Sequence, residues 1–163
     1  MSSEDLELFA ERGNQDFRQA TIFVFGEMNS YQSHYRVYYE DTDAGGVVYH
    51  ANYLKFMERA RTDWLRSLGF NVAELADRRD LLFAVYRARL EYHWPARLNQ
   101  LLTVTVSVQA VKGASLELLQ HVRLVDKPLC SAVIKLVCLG CGNLRPRPMP
   151  NDLKNELNTW ITP

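Results

Sequence analysis

Apolar side chains recur at intervals of three and four along one stretch of the chain, at Tyr53, Met57, Ala60, Trp64 and Leu68, with Leu54, Arg61 and Leu65 as a flanking row. That is the helical period, and it predicts one long amphipathic helix stopped by Gly69. Asn71 is placed to cap a short second helix running through Ala76. Ahead of the long helix, Arg36-Val37-Tyr38-Tyr39-Glu40 reads as a β-branched and aromatic strand. It is closed by Asp41-Thr42-Asp43-Ala44-Gly45-Gly46, where paired glycines permit positive φ. Beyond the helices the chain is strand-like from Leu81 to Trp94 and broken at Pro95. Leu102 to Val111 then alternates Val104, Val106 and Val108 with Thr103, Thr105, Ser107 and Gln109, and Ser115 to Val125 and Leu129 to Leu139 follow as further strands. Lys112-Gly113-Ala114 and Asp126-Lys127-Pro128 are short hairpin connections, so consecutive strands are expected as antiparallel neighbours. The close, Asn151 to Ile161, reads as an amphipathic helix held off the last strand by Pro146, Pro148 and Pro150. The order of strand, helix and then several strands with one half-polar face predicts the α+β class, an antiparallel sheet wrapped around one long helix.

Composition narrows the function classes. Apolar residues make up 47% and charged residues 23% of the 163 positions, which is enough to bury a proper core in one domain and far from the disordered regime. Nineteen basic residues balance nineteen acidic ones, which argues against a dedicated nucleic-acid binder. The balance is uneven along the chain: residues 1 to 27 hold six acids and two bases, −4, so the remainder carries 17 bases against 13 acids, +4. No run approaches the roughly 18 apolar residues of a membrane span, and the start MSSEDLELFAER is acidic where a signal peptide is basic and then apolar. A cytoplasmic location without membrane insertion is expected. Cys130, Cys138 and Cys141 fit a reducing compartment. Although Cys138 and Cys141 form a C-x-x-C pair, no second pair or histidine follows to complete a zinc site, and the pair does not open a helix as a redox dithiol does. Ordinary small side chains are the better reading.

The Asp41 to Gly46 loop invites three chemical readings. A calcium loop fails because its twelfth position would be Asn52 and the odd-position oxygen ligands are missing. A phosphate cradle fails because neither G-x-G-x-x-G nor G-x-x-x-x-G-K occurs. The third reading is a carboxylate set just before a helix start near His50 to Tyr53, where free backbone N–H groups and the macrodipole favour developing negative charge. A carboxylate facing such donors is the minimum apparatus for attack on a carbonyl: one group activates or supplies the nucleophile, the other holds the oxyanion. A capped turn is the alternative reading of the same residues.

The run from Arg36 to Tyr53, RVYYEDTDAGGVVYHANY, followed by Phe56-Met57-Glu58-Arg59-Ala60-Arg61-Thr62, closely resembles hotdog-fold acyl-CoA thioesterases related to 4-hydroxybenzoyl-CoA thioesterase, specifically the YbgC branch associated with the Tol–Pal system. The likeness continues more loosely through Glu91-Tyr92, Pro95-Ala96-Arg97-Leu98, Lys112-Gly113-Ala114-Ser115 and the proline-rich close. It covers roughly Tyr35 to Pro150. The resemblance implies a hotdog fold and a role in lipid metabolism. It also implies a homodimer, often doubled to a homotetramer, with active sites at the subunit interface.

By the same resemblance, Asp43 is the catalytic carboxylate, the backbone N–H of His50 the oxyanion donor, and the side chains of Tyr39 and His50 take part. Asp43 then attacks an acyl-CoA thioester directly or deprotonates the attacking water, and thiolate departure needs no metal and no cofactor, coenzyme A being part of the substrate. Substrate contacts are expected at Gly45, Gly46, Val48, Tyr49, Asn52 and Glu58. Lys112 and Arg145 are candidates for the coenzyme phosphates, together with Arg89, Arg97 and Arg123. Glu58 is favoured as an ion-pair partner of Arg61 or Arg59, and Asp41 as a capping residue. Tyr49, Phe83 and Trp94 line an acyl pocket or fill the core, and His34, His93 and His121 are structural or surface groups. Acyl carrier protein and phospholipid-synthesis enzymes are further expected partners, with a non-catalytic scaffold or an acyl-thioester hydratase as alternative functions. The domain layout expected is an N-terminal extension over 1–33, mobile or dispensable, a thioesterase domain over 34–150 and a helical tail over 151–163.

Overall fold

The helical stripe read from the sequence becomes α1, Asn52–Ser67, in a computed structural model that describes residues 29–161. Phe56, Met57, Ala60 and Trp64 on its inner face are wholly buried, each large side chain contributing about 1.5–3 kcal/mol on removal from water. Leu68 closes the helix, and Gly69 follows at φ 85°, a left-handed position that a residue with a Cβ adopts only with strain. In α2, Val72–Arg79, the side chain of Asn71 accepts the Ala73 N–H at 2.9 Å, the expected cap. This helix runs three residues beyond Ala76, to a left-handed Asp80.

Five strands form one fully antiparallel sheet: β1 Ser30–Arg36, β2 Leu82–Tyr92, β3 Leu101–Lys112, β4 Ser115–Leu124 and β5 Lys127–Leu139, in the order β1-β3-β4-β5-β2. α1 lies against β1, β3 and β4, so the sheet wraps the helix as a hotdog fold requires. β3, β4 and β5 are the hairpin-linked neighbours expected. β2 instead pairs with β5, because the link from residue 93 to residue 100 carries the chain past the start of α1, where the Ala96 carbonyl accepts the Val48 N–H at 2.8 Å. β2 is therefore an edge strand.

Two local expectations are corrected. The strand read at Arg36 to Glu40 ends at Arg36, and Tyr39–Asp41 is a 3-10 turn. The Asp41 carboxylate accepts the Tyr38 N–H at 2.9 Å, so capping overrides the β propensity of Val-Tyr-Tyr. The second hairpin turns at Val125-Asp126, with Val125 at φ 54°, and Lys127 and Pro128 already belong to β5.

The closing helix α3, Asn151–Asn158, returns to the core: Leu153 and Leu157 are wholly buried, and Trp160 packs edge-on against Trp64 at 5.7 Å. The expected N-terminal extension lies, through residue 28, outside the described residues.

Candidate active site

The loop after the 3-10 turn is held from below. The Asp41 carbonyl accepts the Tyr49 N–H at 2.9 Å and the Asn52 side-chain amide at 3.0 Å, and both Asp41 and Asn52 are buried. Between these anchors Thr42 and Val48 form an isolated bridge, and Asp43 donates its N–H to Val47 O at 2.9 Å. Residues 42 to 48 therefore make a small closed finger that presents Asp43 at its tip, exposed to solvent.

Within the finger, Asp43 Oδ1 accepts the Gly45 N–H at 2.8 Å. A Cβ at position 45 would sit 3.1 Å from that oxygen, so glycine is what lets the carboxylate fold over its own loop. Oδ2 has no hydrogen-bond partner among the described residues. Ala51 forms the N-cap of α1 without any side-chain cap, and among the described residues no acceptor takes the backbone N–H of His50 or Ala51. Two open donors thus stand at the positive end of the helix macrodipole, just after the carboxylate-bearing finger. Such a pairing suits acyl transfer through a tetrahedral oxyanion.

Aromatic rings wall the helix start. Tyr49 packs against the His50 imidazole at 4.3 Å and is half exposed, while Tyr92, at the end of β2, meets both His50 and Tyr53 edge-on at 6.5 and 5.7 Å. The Tyr92 hydroxyl donates to the His50 carbonyl at 3.1 Å. Tyr53 is buried and its hydroxyl accepts the Ala96 N–H at 2.9 Å, tying the 93–100 link to α1. Burial pushes the Tyr53 phenol above its ordinary value, keeping it a neutral hydroxyl. Tyr92 and Tyr53 carry no motif of their own; the signal that could have found Tyr92 is its place at the end of a strand running toward the helix start.

The residues expected at the site divide in space. Asp43, Gly45, Gly46, Tyr49 and His50 cluster at one end of the sheet. Val48 is in the core at 4% exposure and Asn52 is spent on Asp41, so both build the loop from beneath. Tyr39 stands on the 3-10 turn, 82% exposed, and its side chain has no hydrogen bond among the described residues. Glu58 is exposed and accepts from Thr62 Oγ1 at 2.9 Å in place of the ion pair expected with Arg61 or Arg59. Arg61 turns inward, buried, and donates to Gln120 Oε1 at 2.8 Å, because the flank of α1 on which it stands lies against β4.

Lys112 lies at the far end of β3, whose 12 residues span about 36 Å at roughly 3.3 Å each. Arg145 is at that far end too, beside the Leu139–Pro146 bridge, so one chain does not bring either to Asp43. Phe83 is likewise distant, opposite Cys138. Arg97 is near: it adjoins Ala96, and its guanidinium has no partner among the described residues. Trp94, half buried with Lys127 Nζ 3.6 Å over its ring, shares this end. Among the described residues no cluster of three or more His, Cys, Asp or Glu side chains is placed to hold a metal ion, and no helix is long and apolar enough to cross a membrane.

Comparison with known proteins follows the same lines. A family model described as the thioesterase superfamily matches residues 45–131. The acyl-CoA thioesterase YbgC of Haemophilus influenzae is 42% identical over 126 residues, spanning 77% of this chain and 93% of that one. An acyl-CoA thioester hydrolase YbgC of Escherichia coli O157:H7 is 40% identical over 122 residues, 74% of this chain and 90% of its own length. Among solved structures, a probable thioesterase from Bartonella henselae superposes with a TM-score of 0.72 at 33% identity, covering 74% of this chain and 99% of that one. A 1,4-dihydroxy-2-naphthoyl-CoA thioesterase from Synechocystis shares the fold, with a TM-score of 0.74 at 20% identity over 82% and 99% of the two chains.

Proposed function

Because the chain belongs to the thioesterase superfamily and is a thioester hydrolase, we propose that it cleaves acyl-CoA thioesters at the finger of residues 42–48 and the start of α1. The observation that carries this site is the exposed Asp43 carboxylate followed at once by two backbone N–H groups, of His50 and Ala51, that no described residue engages.

The thioester carbonyl oxygen docks on the open N–H groups, which stabilise the charge that develops there as the carbon becomes tetrahedral. Asp43 Oδ2 either attacks the carbonyl carbon, giving a mixed anhydride that water opens, or takes a proton from a water that attacks in its place. Both routes break the C–S bond and yield a carboxylic acid and coenzyme A thiol. A thiolate leaves readily, so the scheme needs no metal or cofactor. The His50 imidazole, exposed beside Tyr49, is placed to return a proton to the departing sulfur. Arg97, whose guanidinium no described residue engages, is the cation this reading assigns to the coenzyme phosphates.

Two copies complete the site in this reading. β2 is an 11-residue edge strand with Val85, Tyr86 and Tyr92 half exposed or more. A long free edge of this kind is a template for pairing. A homodimer joined through β2, further doubled to a tetramer, sets a second copy beside Tyr92 and the helix start. Three free thiols, Cys130, Cys138 and Cys141, fit a reducing cytoplasm. Acyl carrier protein thioesters and phospholipid-synthesis enzymes belong to the same proposal as further donors and partners.

The test is release of free thiol from acyl-CoAs of two to sixteen carbons. Asp43→Asn is expected to lower kcat at least 100-fold. Undiminished turnover in that variant overturns the site assignment; a wild-type protein that cleaves no thioester points to the scaffold, and hydration of an enoyl thioester to the hydratase.

A further inference from the structure

Tyr92 stands against the helix start, in ring contact with His50 and Tyr53, and the hydrolysis scheme has no use for its hydroxyl. It closes β2 opposite Cys130 of β5, and strand alternation turns it toward α1 along with Leu90. Its ring is fixed by edge-on contacts to Tyr53 and His50, and its hydroxyl donates to the His50 carbonyl at 3.1 Å.

That carbonyl and the Ala51 N–H belong to one peptide unit. The unit is planar and trans, so its oxygen and its hydrogen point in opposite directions. A donor that fixes the oxygen therefore aims the hydrogen. Hydrogen bonding at the oxygen also polarises the amide and strengthens its N–H as a donor. Ala51 N–H is one of the two open groups at the helix start. The 50–51 peptide is the central unit of a turn closed by the Asn52 N–H on the Tyr49 carbonyl at 2.8 Å; that bond leaves the His50 oxygen open, and among the described residues the Tyr92 hydroxyl is the donor that engages it.

The geometry points to Tyr92 as a positioning residue: its hydroxyl orients and polarises the 50–51 peptide so that Ala51 N–H serves, beside His50 N–H, as an oxyanion donor. The assignment rests on the reaction proposed above. Its device comes from the edge strand, so the strand that offers a pairing surface also sets the aim of the helix terminus.

Tyr92→Phe removes one oxygen and keeps the ring contacts. Steady-state kinetics on an acyl-CoA turned over by wild type, with Asp43→Asn alongside, give the test. The expected result is a kcat lowered roughly tenfold with KM and the thermal midpoint unchanged, and an Ala51 amide proton resonance moved upfield in the labelled protein. An unchanged kcat in Tyr92→Phe while Asp43→Asn is inactive overturns the role of Tyr92 and leaves the reaction standing. A loss confined to KM, or one that tracks a lowered thermal midpoint, overturns it as well. Retained activity in Asp43→Asn overturns the site reading itself, and an unmoved Ala51 amide overturns the orienting contact whatever the activity shows.

Discussion

Asp41 and Asp43 are two residues apart and do different things because their surroundings differ. Asp41 is buried, its carboxylate capping a 3-10 turn and its carbonyl gathering Tyr49 and Asn52, while Asp43 stands exposed on the finger with one oxygen that no described residue engages. The sequence shows both as aspartates before a helix, and only burial separates the brace from the exposed carboxylate. His93 illustrates how burial also sets pH behaviour. Desolvation lowers its pKa, against an opposing pull from Glu91, and its Nε2 lies 2.9 Å from Ser131 Oγ. The folded protein therefore resists protonating this ring while the unfolded chain accepts a proton near the usual value of about 6.5. Stability present above that value is lost as the pH falls below it toward the depressed folded pKa. His93→Gln is expected to flatten the slope of the urea midpoint between about pH 5 and 7; a slope equal to wild type would remove His93 as its source.

At the scale of elements, α1 was legible because its period is local and strong, and its stop, a glycine at positive φ, is written in the residue type. Gly69→Ala forces a Cβ into the left-handed region and should cost about 1–2 kcal/mol, read as a lower urea midpoint at unchanged m-value, with thioester cleavage retained because the far end of α1 is untouched. The strand expected at Arg36 to Glu40 was not legible, since a side-chain-to-backbone bond from Asp41 outweighed local propensity. Nor was the inward turn of Arg61. Its position on the helix suggests an ion pair with Glu58, but the flank it occupies lies under β4, and Gln120, itself bonded to the Met57 carbonyl at 3.1 Å, receives it.

Across the described residues, the order β1-β3-β4-β5-β2 leaves β2 at the rim of the sheet, paired with β5 on one side. Ala88, exposed in the middle of that strand, gives a means of testing the pairing without entering the core. In the homodimer proposed above, Ala88→Lys places like charges against each other across the two-fold axis and is expected to shift that dimer to monomer in sedimentation velocity and to cut kcat/KM at least tenfold, because each proposed site loses its neighbour. A variant that stays dimeric at unchanged activity would remove β2 as the interface. The division of charge, −4 over the first 27 residues and +4 over the rest, gives the domain a sign that suits a phosphate-bearing substrate.

The chain by itself determined its α+β class, the long helix with its buried stripe, the three hairpin-linked strands and the motif that holds Asp43 and His50, because each of these rests on periodicity or on residues adjacent in sequence. Tertiary structure alone decided that β2 leaves its sequence neighbour to pair with β5, that Tyr92 reaches back 42 positions to the His50 carbonyl, and that Lys112 and Arg145 end far from the finger. Those outcomes depend on where a loop passes and which strand it places at the edge, and no local pattern of side chains encodes a distance across the sheet.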